Sequence, residues 1–584
     1  MPAARRAAAI GPALRAAARP LAVRAARPLR HAARFVMALP VWVVLGVVLL
    51  AQWLVVGVIA AITPHNGDYY YTGGDSTWYY TSAWVLGHGH VPQGYISYGY
   101  ALLLAPIAHF AGPSMLAGLP YVIALNLLVL WPIALLCVYG IAKAIGGRGF
   151  AYVASFAWTA FPLASIPYFY ERYHERFVDN ALPPALGLVA TGDFPAMVFL
   201  LVAAYFALKA LSERSVSAAL IAGLATGFAG TVKPSDLIFL PAPLAALAVA
   251  RRPKELAVFA AGLVPSLAGL ALWKYSGLGH VPAFSSGSTT LAAGTLTPLP
   301  VGGVQVGHYL RVDWNQIWQN MLQIREYTWS LRMVTWAVVA GTIALLRRST
   351  AVGFVIGGWL AAFIVLKSGA GGVDVVSGSF FRYMVPAFPA FFFGLVSIAL
   401  LVPVWGRRLA AAGGAQRFWP VSRRSWNVLL GVAAAATVLP IVAIAAFSPL
   451  TAPAAADVES VDQYVPANSF PLATRQLGDG SVVLSWPDQN TQGTRVLYAS
   501  FREPKDGLTC APVPHAAAHC VFFSDLATQA LTPQFWTRST IFRDHPDPGP
   551  WVYRVVATVS PKGPIEWGDF MLISRPARVR VSAY

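Results

Sequence analysis

A single carboxylate, Asp75, stands in the stretch "YYYTGGDSTWYY" (residues 69–80), after a glycine pair and within a band of aromatic side chains. Further along the chain, cations border long apolar runs. They are Arg172 and Arg176 in "YERYHERFVDN", Lys233 in "TVKPSDLIFLPAPL" and Arg382 in "FFRYMVPAFPAFFFG". Charges so close to apolar segments are costly unless they pair or serve a site. One carboxylate and a few cations form a set with definite chemical use. The carboxylate takes the proton of an attacking hydroxyl, whose pKa is too high for it to react unaided. The cations hold a phosphate as it departs. A phosphate diester that leaves as a monoester is stable as an anion and needs no strong general acid. The set suits transfer of a group from a phosphate-linked donor to a hydroxyl.

Each of these residues also has a plain structural use. Asp75 follows Gly-Gly and precedes a helix-like run, so it fits a helix N-cap. Asp68 fits a turn. Asp193, before Phe194-Pro195, reads as a cap. Arg172 and Arg176 have Glu171 and Glu175 beside them as partners. Lys233 and Arg382 are long enough to snorkel to an interface. His65, His88 and His90 lack the cysteine or carboxylate spacing of a metal site. His515 and His519 read as surface residues. No metal site is predicted. A divalent cation is the only cofactor the chemistry would admit.

The elements that must position these groups are membrane helices. Of 584 residues, 57% are hydrophobic and 11% charged, against about 25% charged in soluble domains. The net charge of +18 does not point to nucleic acid, because the basic residues cluster in short loops between apolar runs. Spans of about 20 apolar residues are expected at 35–62, 117–142, 150–168, 193–211, 217–233, 235–250, 256–275, 332–346, 351–367, 383–403 and 427–447. The first is too long for a signal-peptide core. Residues 1–34, with eight arginines, read as a flexible basic arm. If that arm is cytoplasmic, five alternate loops fall on the same side, and each is basic. They carry Lys143 and Arg148; Lys209 and Arg214; Arg251, Arg252 and Lys254; Arg347 and Arg348; and Arg407 to Arg424. This is the positive-inside pattern. It predicts a multi-pass plasma-membrane protein.

The other loops then face outward, and they are aromatic and acid-bearing. "YALLLAPIAHFAG" is too short to span comfortably and is expected to lie in the interface. In "WNQIWQNMLQIREYTWSLRM", Trp314, Ile317, Trp318, Met321 and Leu322 recur at helical spacing, which predicts a second interfacial helix. From residue 451 the chain becomes polar, and an odd number of spans puts it outside. "SVVLSWPDQNTQGTRVLYASFR" and "WVYRVVATVS" alternate as strands do. The spacing of Trp486, Tyr498 and Tyr553-Arg554-Val555 resembles a fibronectin type III sandwich. Cys510 and Cys520 are placed to form a disulfide in an oxidising compartment. Cys137 reads as core.

Three landmarks occur in the order seen in the GT-C superfamily of membrane glycosyltransferases. These are "GGDSTWYYTSAWVLGHGHVP" with "YGYALLLAPIAHFAG", then "GLATGFAGTVKPSDLIFLP", then "RYMVPAFP". Over residues 35–450 the chain resembles that superfamily, which includes protein O-mannosyltransferases and the lipid A aminoarabinose transferase. The resemblance implies an all-α polytopic bundle of about eleven helices, with the β-sandwich-like domain appended at 451–584. It implies an inverting transferase that uses a polyprenyl-phosphate sugar. The acceptor would be a hydroxyl of a cell-envelope glycan, lipid or protein on the outer face, such as arabinosyl or mannosyl transfer requires. By the same resemblance Asp75 is the base. Lys233, Arg382, Arg172 and Arg176 hold the donor phosphate, while Asp68, Trp78, Tyr79, His174 and Glu175 contact sugar or acceptor. Many relatives have paired acids where this chain has Asp75-Ser76, which leaves a metal-assisted step without a second ligand there. A flippase or transporter of lipid-linked saccharides, or a ligase, is the alternative. A transporter commonly shows internal repeats and mid-bilayer charges, and neither is evident here.

Overall fold

The structure is a computed structural model. It describes residues 34–62, seven positions between 76 and 87, residues 97–277 apart from 112–114 and 165–180, and most of 314–447. It also describes parts of 470–582. Up to residue 447 the described residues are mostly helical. The helices are α1 (Val41–Ile62), α2 (Tyr98–Ala111), α3 (Met115–Leu125), α4 (Trp131–Ala164), α5 (Leu182–Leu186), α6 (Asp193–Glu213), α7 (Val216–Val232) and α8 (Pro241–Val249). They continue with α9 (Pro253–Gly277), α10 (Trp314–Ser330), α11 (Arg332–Arg348), α12 (Thr350–Ala362), α13 (Ser379–Met384), α14 (Phe388–Val396), α15 (Pro403–Gly414) and α16 (Arg423–Phe447).

Among the described residues, six stretches are long and apolar enough to cross a membrane. They are Val41–Ile59, Gly118–Ala164, Asp193–Glu213, Pro253–Trp273, Thr350–Lys367 and Phe380–Leu401. The shorter apolar helices Val216–Val232 and Pro234–Val249 lie among them. The second stretch holds two of the predicted spans. Gly147 breaks it with φ 80° and ψ −178°, a conformation that only glycine adopts cheaply. Trp131 and Trp158 then lie with ring centroids 6.1 Å apart, whereas a straight helix would separate them by about 40 Å. The chain therefore doubles back at Gly147. Arg148 fixes the corner by donating to the Leu39 carbonyl and to the Tyr152 hydroxyl.

The bundle is built for lipid. Val47, Leu50, Leu54, Val153, Phe156 and Val264 are exposed on its outside, a surface that water would not tolerate in a monomer. Lipid tails are as apolar as leucine, so helices associate through close packing. A β-carbon on Gly223 would lie 2.1 Å from the Phe259 carbonyl oxygen, and one on Gly262 would lie 2.8 Å from that of Leu220. These two glycines let α7 and α9 approach backbone to backbone. Inside, Trp131, Trp158, Phe194 and Phe392 form an aromatic cluster with centroids 5.3 to 6.1 Å apart, tilted at Trp131 and edge-on between Trp158 and Phe392.

The helix predicted around Trp314 is present as α10, and it is two-sided. Ile317 and Asn320 are buried, while Trp314 and Trp318 are exposed. Tryptophans in that position suit a membrane interface.

The C-terminal strands form two antiparallel sheets. The strands are β1 (Ala473–Gln476), β2 (Val482–Ser485), β3 (Val496–Pro504), β4 (Phe535–Thr537), β5 (Ile541–Asp544), β6 (Gly549–Val559), β7 (Phe570–Ile573) and β8 (Ala577–Val581). One sheet has the order β1-β2-β5. In the other, β4-β3-β6 is continued by β7 and β8, which pair with successive parts of β6. Val482, Leu484 and Trp486 of the first sheet share a core with Tyr553, Val555 and Val581 of the second. This is a β-sandwich. The Tyr553 hydroxyl donates to the Asp544 carboxylate at 2.7 Å, which ties the sheets at their corner.

Candidate functional site

Lys233 owes its position to the proline after it. The residue before a proline is pushed out of the helical region, and Lys233 is extended, with φ −143° and ψ 99°. The helix α7 therefore stops at Val232, and a 3-10 turn, Pro234–Phe239, starts at once. This break turns the lysine inward. Its ammonium contacts Oδ1 of Asp193, 40 residues earlier in the chain. Arg382, 189 residues from Asp193, donates from Nε to the other oxygen, Oδ2, at 3.0 Å. One carboxylate thus joins the ends of three segments. Its residue is only 1% exposed.

Asp193 does not cap its helix. The cap position is Gly192, and no side-chain cap hydrogen bond forms. Asp193 is the first residue of α6 and sends its carboxylate sideways to the two cations. Its charge also sits at the positive end of the α6 dipole. Lys233 and Arg382 do not snorkel: both side chains are mostly buried and held by a carboxylate.

A second ion pair lies beside the first. Lys367, at the end of the turn that continues α12, reaches Asp236 at 2.9 Å, and both side chains are almost wholly buried. The same ammonium contacts the Ser235 hydroxyl. The two lysines share one ring. The Lys233 Nζ lies 4.5 Å from the Tyr383 centroid and the Lys367 Nζ 5.3 Å from it, within cation–π range. Asn320 of α10 donates to the carbonyls of Ser368 at 2.6 Å and Val373 at 3.2 Å, which fixes the chain just after Lys367. Three cations thus face two carboxylates, so these five residues carry a net charge of one positive. The other Asp236 oxygen, Oδ2, is buried without a hydrogen-bond partner.

The first loop reaches this site. Tyr79 and Ser97 both donate hydroxyl hydrogen bonds to the Val232 carbonyl, at 3.1 and 2.8 Å. Val232 immediately precedes Lys233. At Gly99 a β-carbon would lie 2.4 to 2.7 Å from Thr231 and the Val232 nitrogen, so a glycine is required for α2 to start here. Ser76, Tyr79 and Tyr80 are helical and buried. Tyr79 meets Tyr100 edge-on at 5.1 Å.

Of the residues expected at the site, the structure brings Lys233, Arg382 and the Tyr79 loop together. Asp75, Asp68, Trp78, Arg172, Arg176, His174, Glu175, Cys510 and Cys520 lie outside the described residues. Asp193, Asp236 and Lys367 were not expected there. Each is a charge at the boundary of an apolar run, which is the same signal that pointed to Lys233. Among the described residues no group of three or more metal-ligating side chains is assembled.

All these charges sit at one end of their helices. Asp193 opens α6, while Lys209 and Glu213 close it with an ion pair of their own at 3.8 Å. The 21 residues of α6 span about 30 Å, the thickness of a bilayer core. Arg347 and Arg348 lie at that far end, where they line a cavity with Leu208 and Leu211 of α6.

The fold and the site define a multi-pass membrane protein with a buried ionic cluster at one end of its bundle. No family model matches the chain, and no curated protein matches it in sequence. Among solved structures it is similar to the oligosaccharyltransferase of Archaeoglobus fulgidus. In the apo form the identity is 13%, over 72% of this chain and 57% of that one, with a TM-score of 0.35. For the complex with an inhibitory peptide and a dolichol-phosphate, the identity is 14% over the same shares, with a TM-score of 0.33. For the form tethered to an acceptor peptide, it is 12% over 73% and 57%, with a TM-score of 0.37. This chain spans little more than half the length of those proteins. So loose a likeness gives no residue-to-residue correspondence.

Proposed function

We propose that the protein is a GT-C-type membrane glycosyltransferase that moves a sugar from a polyprenyl-phosphate donor to a hydroxyl on the outer face. The observation that carries this reading is the convergence of Lys233 and Arg382 on Asp193, beside the loop that bears Asp75 and at the end opposite the basic loops. Positive loops stay in the cytoplasm, which puts the cluster outside. The C-terminal domain, read as a fibronectin type III-like module, lies on the same side in this topology. A transporter would hold its ionisable groups near mid-bilayer; these stand at helix ends.

In this reading the site works as follows. Asp75 accepts the proton of the acceptor hydroxyl. The freed oxygen attacks the anomeric carbon from the face opposite the donor phosphate, the carbon–oxygen bond to phosphate breaks, and the configuration inverts. Polyprenyl phosphate leaves with the bonding pair. Lys233 and Arg382 supply two positive charges against the single charge of Asp193. The remaining positive charge stabilises the departing phosphate in a water-poor site, where such a contribution is large. Asp193 keeps both cations in place before the donor arrives. Arg172 and Arg176 add to the phosphate site. Asp68, Trp78, Tyr79, His174 and Glu175 line the sugar and acceptor side. Acceptors are cell-envelope glycans, lipids or proteins.

The test is transfer by the purified full chain from polyprenyl-phosphate arabinose and mannose to envelope glycan acceptors. Asp75→Asn is expected to lower turnover by about 100-fold or more. Lys233→Met is expected to lower it with the acceptor KM unchanged. An Asp75→Asn variant that transfers at the wild-type rate overturns the assignment of the base.

A further inference from the structure

At the end of the bundle remote from the ionic cluster there is a cavity of about 840 Å³. Along α6 it begins at Leu208, fifteen residues from Asp193, or roughly 22 Å away. It belongs to a different site. Its walls are apolar and come from five helices and a turn, with Ile145, Leu208, Val352 and Leu401 among them. Its rim is cationic: Arg347 and Arg348 line it in succession, and among the described residues no carboxylate does. Ser349 follows and caps α12, its hydroxyl accepting from the Val352 amide at 3.4 Å. The positive end of that helix therefore adds to the field of the two guanidinium groups. The nearby acid Glu213 is taken by Lys209.

The mouth shows what kind of anion fits. Leu401 lines the cavity and is 41% exposed, and the exposed Val402, Val404 and Trp405 follow it. A free phosphate or nucleotide gains nothing from such a border. A ligand with a charged head and hydrocarbon tails matches both parts. Exposed tryptophan beside apolar residues also marks the depth at which lipid head groups lie.

We propose that this cavity binds an anionic phospholipid, with its phosphate on Arg347 and Arg348 and its acyl chains leaving past Leu401 along the outside of the bundle. The lipid is a bound component of the fold and takes no part in transfer. The volume lies within the range of ligand pockets, about 300 to 1,000 Å³. Basic pockets between helices on the cytoplasmic side are a known way to hold acidic head groups.

The experiment is native mass spectrometry of the full chain from micelles holding equal amounts of phosphatidylglycerol and phosphatidylcholine. Wild type is expected to retain one phosphatidylglycerol in clear excess over phosphatidylcholine, and excess inorganic phosphate should not displace it. Displacement by inorganic phosphate would mean a simple anion site and overturn the lipid assignment. Equal retention of the two lipids would overturn the proposal outright, on wild-type protein alone. Arg347→Gln with Arg348→Gln is expected to lower that retention about thirtyfold, roughly fivefold for each charge. Arg407→Gln with Arg408→Gln removes two neighbouring charges that do not line the cavity and is expected to leave retention unchanged. An equal loss in both pairs would assign the effect to general surface charge and defeat the proposal.

Discussion

The two ends of the helix bundle use charge in opposite ways. At one end Lys233, Lys367 and Arg382 are buried against Asp193 and Asp236. At the other, Arg348 donates to the Ala410 carbonyl at 3.1 Å and Arg407 to that of Pro403 at 3.2 Å, both at exposed positions, and Lys209 pairs with Glu213, which is itself partly exposed. Such exposed arginines cost almost nothing to keep, because solvent screens them. Buried ion pairs are expensive, and apolar side chains of like volume serve stability as well or better. Stability alone therefore does not explain the first end. The proposed site for a departing phosphate, which must hold an anion out of water, accounts for it.

The largest expected effect tests this directly. Asp193→Asn removes the carboxylate that the buried Lys233 and Arg382 share. It should destabilise the protein by about 3 to 5 kcal/mol, read as a fall in Tm in detergent, and abolish transfer. The joint variant Asp193→Leu, Lys233→Met, Arg382→Met removes all three charges. Its Tm should return close to wild type while transfer stays absent. If activity returns with stability, the cluster is structural and the contrast between the two ends loses its meaning.

Next comes the neighbouring pair. Lys367→Met strands the Asp236 carboxylate, one oxygen of which already lacks a partner, and should cost about 3 kcal/mol. Adding Asp236→Asn should recover much of that. The two changes touch, so they should be strongly non-additive in a double-mutant cycle. At the opposite end Arg407→Gln should shift stability by less than about 0.5 kcal/mol. A loss there as large as that of Lys367→Met would erase the distinction.

Much of this contrast was legible in the chain. Lys233 and Arg382 stood out because each borders an apolar run, and the Lys-Pro step already implied a helix break. The alternate loops of arginine and lysine set the expected sidedness. Both helices of the α4 hairpin were readable as separate spans, although Gly147 was not marked as the corner. What the sequence concealed was pairing. Asp193 looks like a cap because an acid before Phe-Pro often is one; only the packing of α6 against the Lys233 turn shows where its carboxylate goes. Asp236 and Lys367 drew no notice in the sequence, and their contact joins segments more than a hundred residues apart. No local pattern encodes a contact at that separation.

The smallest effect expected lies outside the bundle and supplies the missing case, an ion pair in water. In the β-sandwich Asp479 accepts from the Ser481 hydroxyl at 2.6 Å and from the Ser481 amide at 3.0 Å, and Arg543 donates to its other oxygen. The Ser481 hydroxyl chiefly, then its amide, and to a lesser degree the Arg543 charge hold the Asp479 carboxyl down to about 2. A carboxyl depressed in the folded state stabilises only while it is ionised. Its contribution is therefore complete above the ordinary aspartate pKa of about 3.9 and fades as the pH falls through about 2. Tm measured for wild type and Asp479→Asn should differ slightly at pH 7. The gap should narrow below pH 4 and close below pH 2. Both side chains of the Asp479–Arg543 pair are half exposed, so added salt should shrink the part due to Arg543 and leave the part due to Ser481. The buried pairs at the ionic end of the bundle should show no such salt dependence, because screening ions do not reach them.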